Sequence, residues 1–146
     1  MNPDLAFTIC NASVMPAWLL LAVAPNHPIT HRLVHALWIP VLLAIAYLAA
    51  FALNPESPEG GGFGSLVGVM TLFTSPYAVL AGWIHYLVFD LFVGAWEVRD
   101  AARRGVPHLL VLPCLGLTLM LGPAGLMAYL LIRYAKTRVW TFAEAR

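Results

Sequence analysis

Long apolar runs, broken by short clusters of proline, glycine and charge, set the pattern of this chain. A helix needs about twenty apolar residues to cross a bilayer core of roughly 30 Å. Four runs reach that length: 5–24, 33–53, 76–98 and 107–132. They are continuous blocks and do not alternate with period two, so they predict membrane helices and not half-buried strands. The expected architecture is all-α, a polytopic membrane protein forming one four-transmembrane-helix bundle over residues 1–146. Residues 54–75 are the long connection, within which "LVGVMTLFTS" reads as an interfacial segment. Prolines 16, 40, 113 and 123 fall inside spans, which lipid-embedded helices tolerate; Pro113 and Pro123 are expected to kink the fourth.

Composition sharpens this picture. The 146 residues are 61% hydrophobic and 10% charged, whereas a soluble domain carries about a quarter charged residues. A net charge of +1 leaves no basic surface for nucleic acid. "PEGGGFG" lacks the Lys-Ser/Thr that a phosphate loop requires. Cys10 and Cys114 lie inside apolar runs and read as small hydrophobes. The opening "MNPDLAFTIC" has no basic n-region and no Arg- and Ser-rich leader, so the first run is expected to remain as a helix. Up-down threading gathers Arg32, Arg99, Arg103 and Arg104 on one face with His27, His31, His35, Glu97, Asp100 and His108. It sends Arg133, Lys136, Arg138 and Arg146 to the other face with Asp4, Glu56 and Glu59. The positive-inside rule then returns a tie.

Against that background Asp90 stands out. It lies three residues from the middle of its span, where an aspartate costs about 2.5–3.5 kcal/mol to insert. Intramembrane acids face the bundle interior and find a partner there. At 100° per residue, Trp83, Tyr86, Gly94 and Glu97 fall within about 40° of Asp90. His85 falls about 140° away, with Phe89, Phe92 and Trp96. Asp90 and His85 therefore meet different neighbours or line two walls of one cavity. Asn11, stacked over Met15 and Trp18, and His108 at the start of the last span offer polar groups from other helices. His27, His31 and His35 recur every four residues, but Pro28 starts the helix after His27. Solvated interface histidines are the better reading of that run, and neither a metal nor a cofactor is expected.

The third span also carries a resemblance. Trp83-Ile84-His85 followed by Asp90-Leu91-Phe92 resembles the core of the neoxanthin-synthase-like family, named for abscisic-acid-deficient plants. The early Pro16-Ala17-Trp18 to Pro25 stretch is similar to that family, as is a final span with His108, Cys114 and Pro123-Ala124-Gly125. The resemblance implies four membrane helices and an association with opening the epoxide of violaxanthin into the allenic alcohol of neoxanthin, without net redox change. Asp90 and His85 are then the acid and base candidates. Asn11, Trp18, Trp83 and Tyr86 are candidate substrate contacts, together with Phe92, Glu97 and His108. Three functional readings stay open: an isomerase-type enzyme on a carotenoid-like lipophile, a non-catalytic assembly partner, and a small proton-coupled transporter. The expected surroundings are the lipid bilayer of a bacterial cytoplasmic membrane. A homo-oligomer is left open.

Overall fold

The computed structural model describes residues 2–36, 38–52 and 58–141. Leu53, Glu56 and Arg146, which figured in the expectations above, lie outside the described residues. Helix α1 (Pro3–Val23) is N-capped by Asn2, whose side chain accepts from Asp4 N–H at 2.9 Å. Pro16 sits within it without ending it. Next come the short α2 (Pro28–Thr30), a π-helical turn over His31–His35, and α3 (Trp38–Ala52). Helix α4 (Leu66–Leu72) is capped by Ser65, whose Oγ accepts from Gly68 N–H at 3.0 Å. The long helix α5 runs from Pro76 to Arg104; α6 is His108–Leu121 and α7 is Pro123–Thr137. Among the described residues there is no strand.

Three stretches are long and apolar enough to cross a membrane: Pro3–Val23, Pro28–Ala52 and Pro76–Arg104. At 1.5 Å per residue, α5 is about 43 Å long and outspans the hydrocarbon core. It is the central post of the bundle and packs against α1, α3, α6 and α7. Helix α1 runs parallel to it: Phe7 and Asn11 meet Trp83, Trp18 meets Gly94, and Ala22 meets His108 beyond the end of α5. A Cβ on Gly94 would come within 2.6 Å of the Trp18 ring, so the missing side chain is what lets the two helices close up. Helix α3 runs antiparallel, with Tyr47 beside His85 and Phe51 near Ala78 and Gly82. Trp18, Leu21, Ile84, Leu87, Leu91 and Val111 contribute to the shared core.

The fourth predicted span takes a different form. Residues 107–132 do not make one kinked crossing, because the chain reverses at Gly122. Glycine holds φ 32 and ψ −88 there, a backbone that side-chain-bearing residues avoid. Pro123 then starts α7 at a position where its missing N–H costs nothing. Pro113 stays inside α6. The direction of α7 follows from its contacts. Gly122 lies against Asp90, the middle residue of α5, whereas Tyr129 and Arg133 reach Asp100 near its end. Helix α6 therefore climbs from the α5–α6 turn to mid-membrane and α7 descends again. Each leg is about 21–23 Å long, too short to span. Close to the tip, the position of a Gly125 Cβ is already occupied by Thr118, so only glycine allows the legs this approach.

This re-entrant hairpin reverses the expected placement of the tail. Arg133, Lys136 and Arg138 end on the same face as Arg32, Arg99, Arg103 and Arg104, while Asp4 and Glu59 lie towards the other. All the described Lys and Arg residues thus sit towards one face, and the tie becomes a one-sided distribution. By the positive-inside rule that face stays on the side of synthesis. The two cysteines are free and buried, leaving the surface clear for labelling. Single cysteines at Ala102 and Lys136 are expected to react with an impermeant maleimide from one side of sealed vesicles, and one at Phe63 from the other. Labelling of positions 102 and 136 from opposite sides would restore the full crossing.

Candidate functional site: an acidic face closed by a hairpin tip

Helix α5 presents one polar face from Trp83 to Arg104, and its lower half is built against the hairpin. Glu97 is fully buried. Its Oε1 accepts from Thr118 Oγ1 at 2.9 Å, while Oε2 has no hydrogen-bond partner. Two helical turns earlier, Asp90 is 8% exposed and its Oδ2 is likewise unpartnered. Its Oδ1 lies 2.6 Å from the point where a Gly122 Cβ would stand. The carboxyl group therefore borders both the non-helical tip and the first turn of α7. Tyr86, one turn above, donates its hydroxyl to the carbonyl of Leu119 at 2.8 Å. That carbonyl belongs to the last turn of α6, where backbone acceptors lack helical donors, and at this depth no bulk water could serve it.

Above the tip the same face continues. Trp83 Nε1 donates to Asn11 Oδ1 at 3.0 Å, and Asn11 Nδ2 donates back to the carbonyl of Phe7. The rings of Phe7, Trp83 and Tyr86 follow one another at 5.3 and 5.2 Å between centroids. Trp18 closes the core side against Gly94.

Not every expected residue joins this face. His85 is exposed on the α3 side, its ring 4.5 Å from Phe89 and 6.3 Å from Tyr47. It lines a separate recess of about 220 Å³ with Phe51 and Phe73. Asp90 and His85 do not come together, because five residues along a helix turn two side chains to different sides. Phe92 lines a third recess, about 240 Å³, with Val93, Trp96 and Leu126 between α5 and α7. His108 is spent elsewhere, its Nε2 2.9 Å from the carbonyl of Ala22 where it ties α6 to α1. His31 and His35 stack with centroids 5.1 Å apart. Among the described residues no group of three or more His, Cys, Asp or Glu is placed to hold a metal ion.

Sequence reasoning passed over the group that anchors the hairpin. Asp100 Oδ1 accepts from Arg104 Nε at 2.8 Å, and Oδ2 accepts from Tyr129 Oη at 2.7 Å and Arg133 Nη1 at 3.2 Å. Arg133 is fully buried and also donates to the carbonyls of Trp140 and Thr141. Trp96 packs edge-on against Tyr129, under the Arg133 guanidinium. The available signal was the pairing of Tyr129 with Arg133 one turn apart on an otherwise apolar helix, a spacing that puts both on one face.

Residues 5–129 match the family model described as ABA DEFICIENT 4-like. The chain belongs to the ABA DEFICIENT 4-like family. The relative Protein ABA DEFICIENT 4, chloroplastic, from Arabidopsis thaliana, is 26% identical over 113 residues, covering 68% of this chain and 49% of the relative. The chain thus spans about half the length of that protein. The relative's name marks it chloroplastic, and the bacterial cytoplasmic membrane expected from the sequence gains no support. No solved structure matches the chain. The family match ends at Tyr129, so the hairpin tip and both acids lie inside it, while Arg133 lies just beyond.

Removing one partner from a buried ion pair typically costs about 3–5 kcal/mol, because the other charge is left uncompensated. Asp100→Ala is therefore expected to lower the unfolding midpoint in mild detergent far more than Asp4→Ala, and to expose the α7 segment to protease. Equal midpoints for the two variants would show that this group does not hold the hairpin.

Proposed function

We propose that this ABA DEFICIENT 4-like protein is a membrane-embedded acid–base catalyst that opens an epoxide on a carotenoid-like lipophile. One observation carries the reading: two carboxyl groups, Asp90 and Glu97, lie deep in the bundle on one helix face, each with an oxygen that no protein group satisfies. A buried polar atom without a partner costs about 1–3 kcal/mol. An incoming oxygen-bearing guest removes that cost.

The reaction follows from one carboxyl group used twice. Protonated Asp90 donates to the epoxide oxygen as the ring C–O bond breaks, and that oxygen becomes a hydroxyl. The carboxylate left behind takes the proton lost from the neighbouring chain carbon, whose C–H electron pair forms the new double bond. One proton leaves Asp90 and one returns, and no electrons enter or leave. Water exclusion by the hairpin tip and Trp18 protects the cationic stage. Glu97, bonded to Thr118 within the closed half, holds the hairpin leg in register below the reacting carboxyl. His85 points away from Asp90 and has no part in this scheme.

A second reading, proton-coupled transport, is favoured by the two half-length helices meeting at a mid-membrane acid. Proton-gradient-dependent efflux of a lipophile from vesicles would select it.

The catalytic reading is tested by supplying violaxanthin to the protein in nanodiscs and following products chromatographically. General acid–base groups contribute about 10²–10⁴-fold, so Asp90→Asn is expected to lose at least a hundredfold in turnover while keeping its unfolding midpoint. His85→Ala is expected to stay near the parent rate. Undiminished turnover in Asp90→Asn, or none in the parent protein, defeats the reading.

A further inference from the structure

The hairpin covers only half of the acidic face. Its tip stops at Asp90, with Tyr86 still bonded to the Leu119 carbonyl of α6, and above Tyr86 the stripe turns to α1, where Trp83 meets Phe7 and Asn11. Val79, Trp83, Tyr86 and Asp90 recur at spacings of four, three and four residues and so form one continuous row. The upper members are open: Val79 is 48% and Trp83 38% exposed, as is 41% of Phe7 on the flanking α1. At the far end, Phe7, Val79 and Leu80 line a groove of about 280 Å³ together with Asp4 and Thr74. Phe7 passes this groove on to Trp83, and Trp83 to Tyr86, through ring contacts near 5 Å. The row ends at the unpartnered Asp90 oxygen.

From these observations we infer that the uncovered half of α5, walled by α1 and floored by the hairpin tip, is the binding track for a rod-shaped polyene, which enters from the leaflet opposite the basic face and presents its oxygen-bearing end to Asp90. The track from Val79 to Asp90 is about 16 Å long by helical rise, room for one end group and part of an extended chain, the remainder lying in lipid. Flat aromatic walls suit a conjugated chain, since ring faces give dispersion contact at little conformational cost. An unpartnered acid at the foot suits a guest carrying oxygen there and penalises a pure hydrocarbon. The recess of Phe92, Val93, Trp96 and Leu126 is the rival route, but it opens on another flank of α5 and in the basic half. This inference rests on the acid-site reading for the identity of the reactive end, though not for the location of the track.

The test separates the two. Violaxanthin is titrated into nanodisc-held parent, Asp90→Asn, Val79→Trp, Phe7→Ala and Leu126→Trp proteins, with bound pigment read by its visible absorption and turnover assayed in parallel. Val79→Trp fills the track at a lipid-facing position that tolerates bulk, and is expected to weaken binding about tenfold or more. Phe7→Ala removes wall and weakens it by about threefold or more, while Leu126→Trp remains within about twofold of the parent. Weakening by Leu126→Trp with Val79→Trp and Phe7→Ala unaffected overturns the track and leaves the acid reading standing. Pigment lost from Val79→Trp, together with full turnover in Asp90→Asn, upholds the track and defeats the acid reading. Absence of pigment binding to the parent defeats both.

Discussion

Asp100 and Arg133 must meet, and most of the architecture follows from that meeting. Arg133 is fully buried and its guanidinium finds the Asp100 carboxylate at 3.2 Å. Asp100 belongs to the last turns of α5, at the same end of the bundle where α6 begins. A chain that leaves this end at His108 and brings Arg133 back to it within 25 residues has to reverse midway. The reversal in turn delivers Gly122 to the middle of α5 and leaves the stretch of that helix above Tyr86 to α1 and α3. The buried pair is costly in isolation; Tyr129 and Arg104 share the cost at the Asp100 oxygens, and two backbone carbonyls share it at Arg133 Nη2.

A turn at membrane depth faces a second constraint, since lipid offers no hydrogen bonds to loose backbone. The tip meets it with very little loop. Gly122 N–H still bonds to Thr118 O at 3.0 Å, and Leu126 N–H takes Gly122 O at 3.2 Å. Pro123 has no N–H to satisfy, and Tyr86 reaches across from α5 to the Leu119 carbonyl. What remains is a compact corner whose neighbour is a carboxyl group. The same Gly122 that permits the reversal also admits the Asp90 oxygen to within van der Waals range of backbone, so turn and acid are one structural unit.

This explains what could be read from the sequence and what could not. Helices α1 and α5 were legible from apolar length alone, and the face shared by Trp83, Tyr86, Asp90 and Glu97 was legible from the helical period. The hairpin was hidden by the same criterion. Residues 107–132 are long and apolar enough for a crossing, and run length cannot distinguish one full span from two half spans joined at a corner. Gly122-Pro123 marked the break, but proline within an apolar run also reads as a kink. Long-range contacts decide between them, Gly122 with Asp90 and Arg133 with Asp100, and no local pattern encodes these. His85 was grouped with Asp90 through the family resemblance, while the helical period already set them about 140° apart; in the structure the geometry prevailed over the analogy.

The unpartnered oxygens then bear on function. A bundle of this size does not need acids to assemble: small residues such as Gly94 already let helices pack closely, and Asn11 with Trp83 supplies an interhelical hydrogen bond of the kind that holds membrane helices together. Around Asp100 both carboxylate oxygens accept hydrogen bonds, from Arg104, Tyr129 and Arg133. Asp90 Oδ2 and Glu97 Oε2 are left unsatisfied in the same bundle, on the same helix, within reach of the same hairpin. The contrast separates the two sites by purpose. The Asp100 carboxylate has both oxygens partnered where the hairpin is anchored; the Asp90 carboxyl keeps an open oxygen at the point where the turn leaves room.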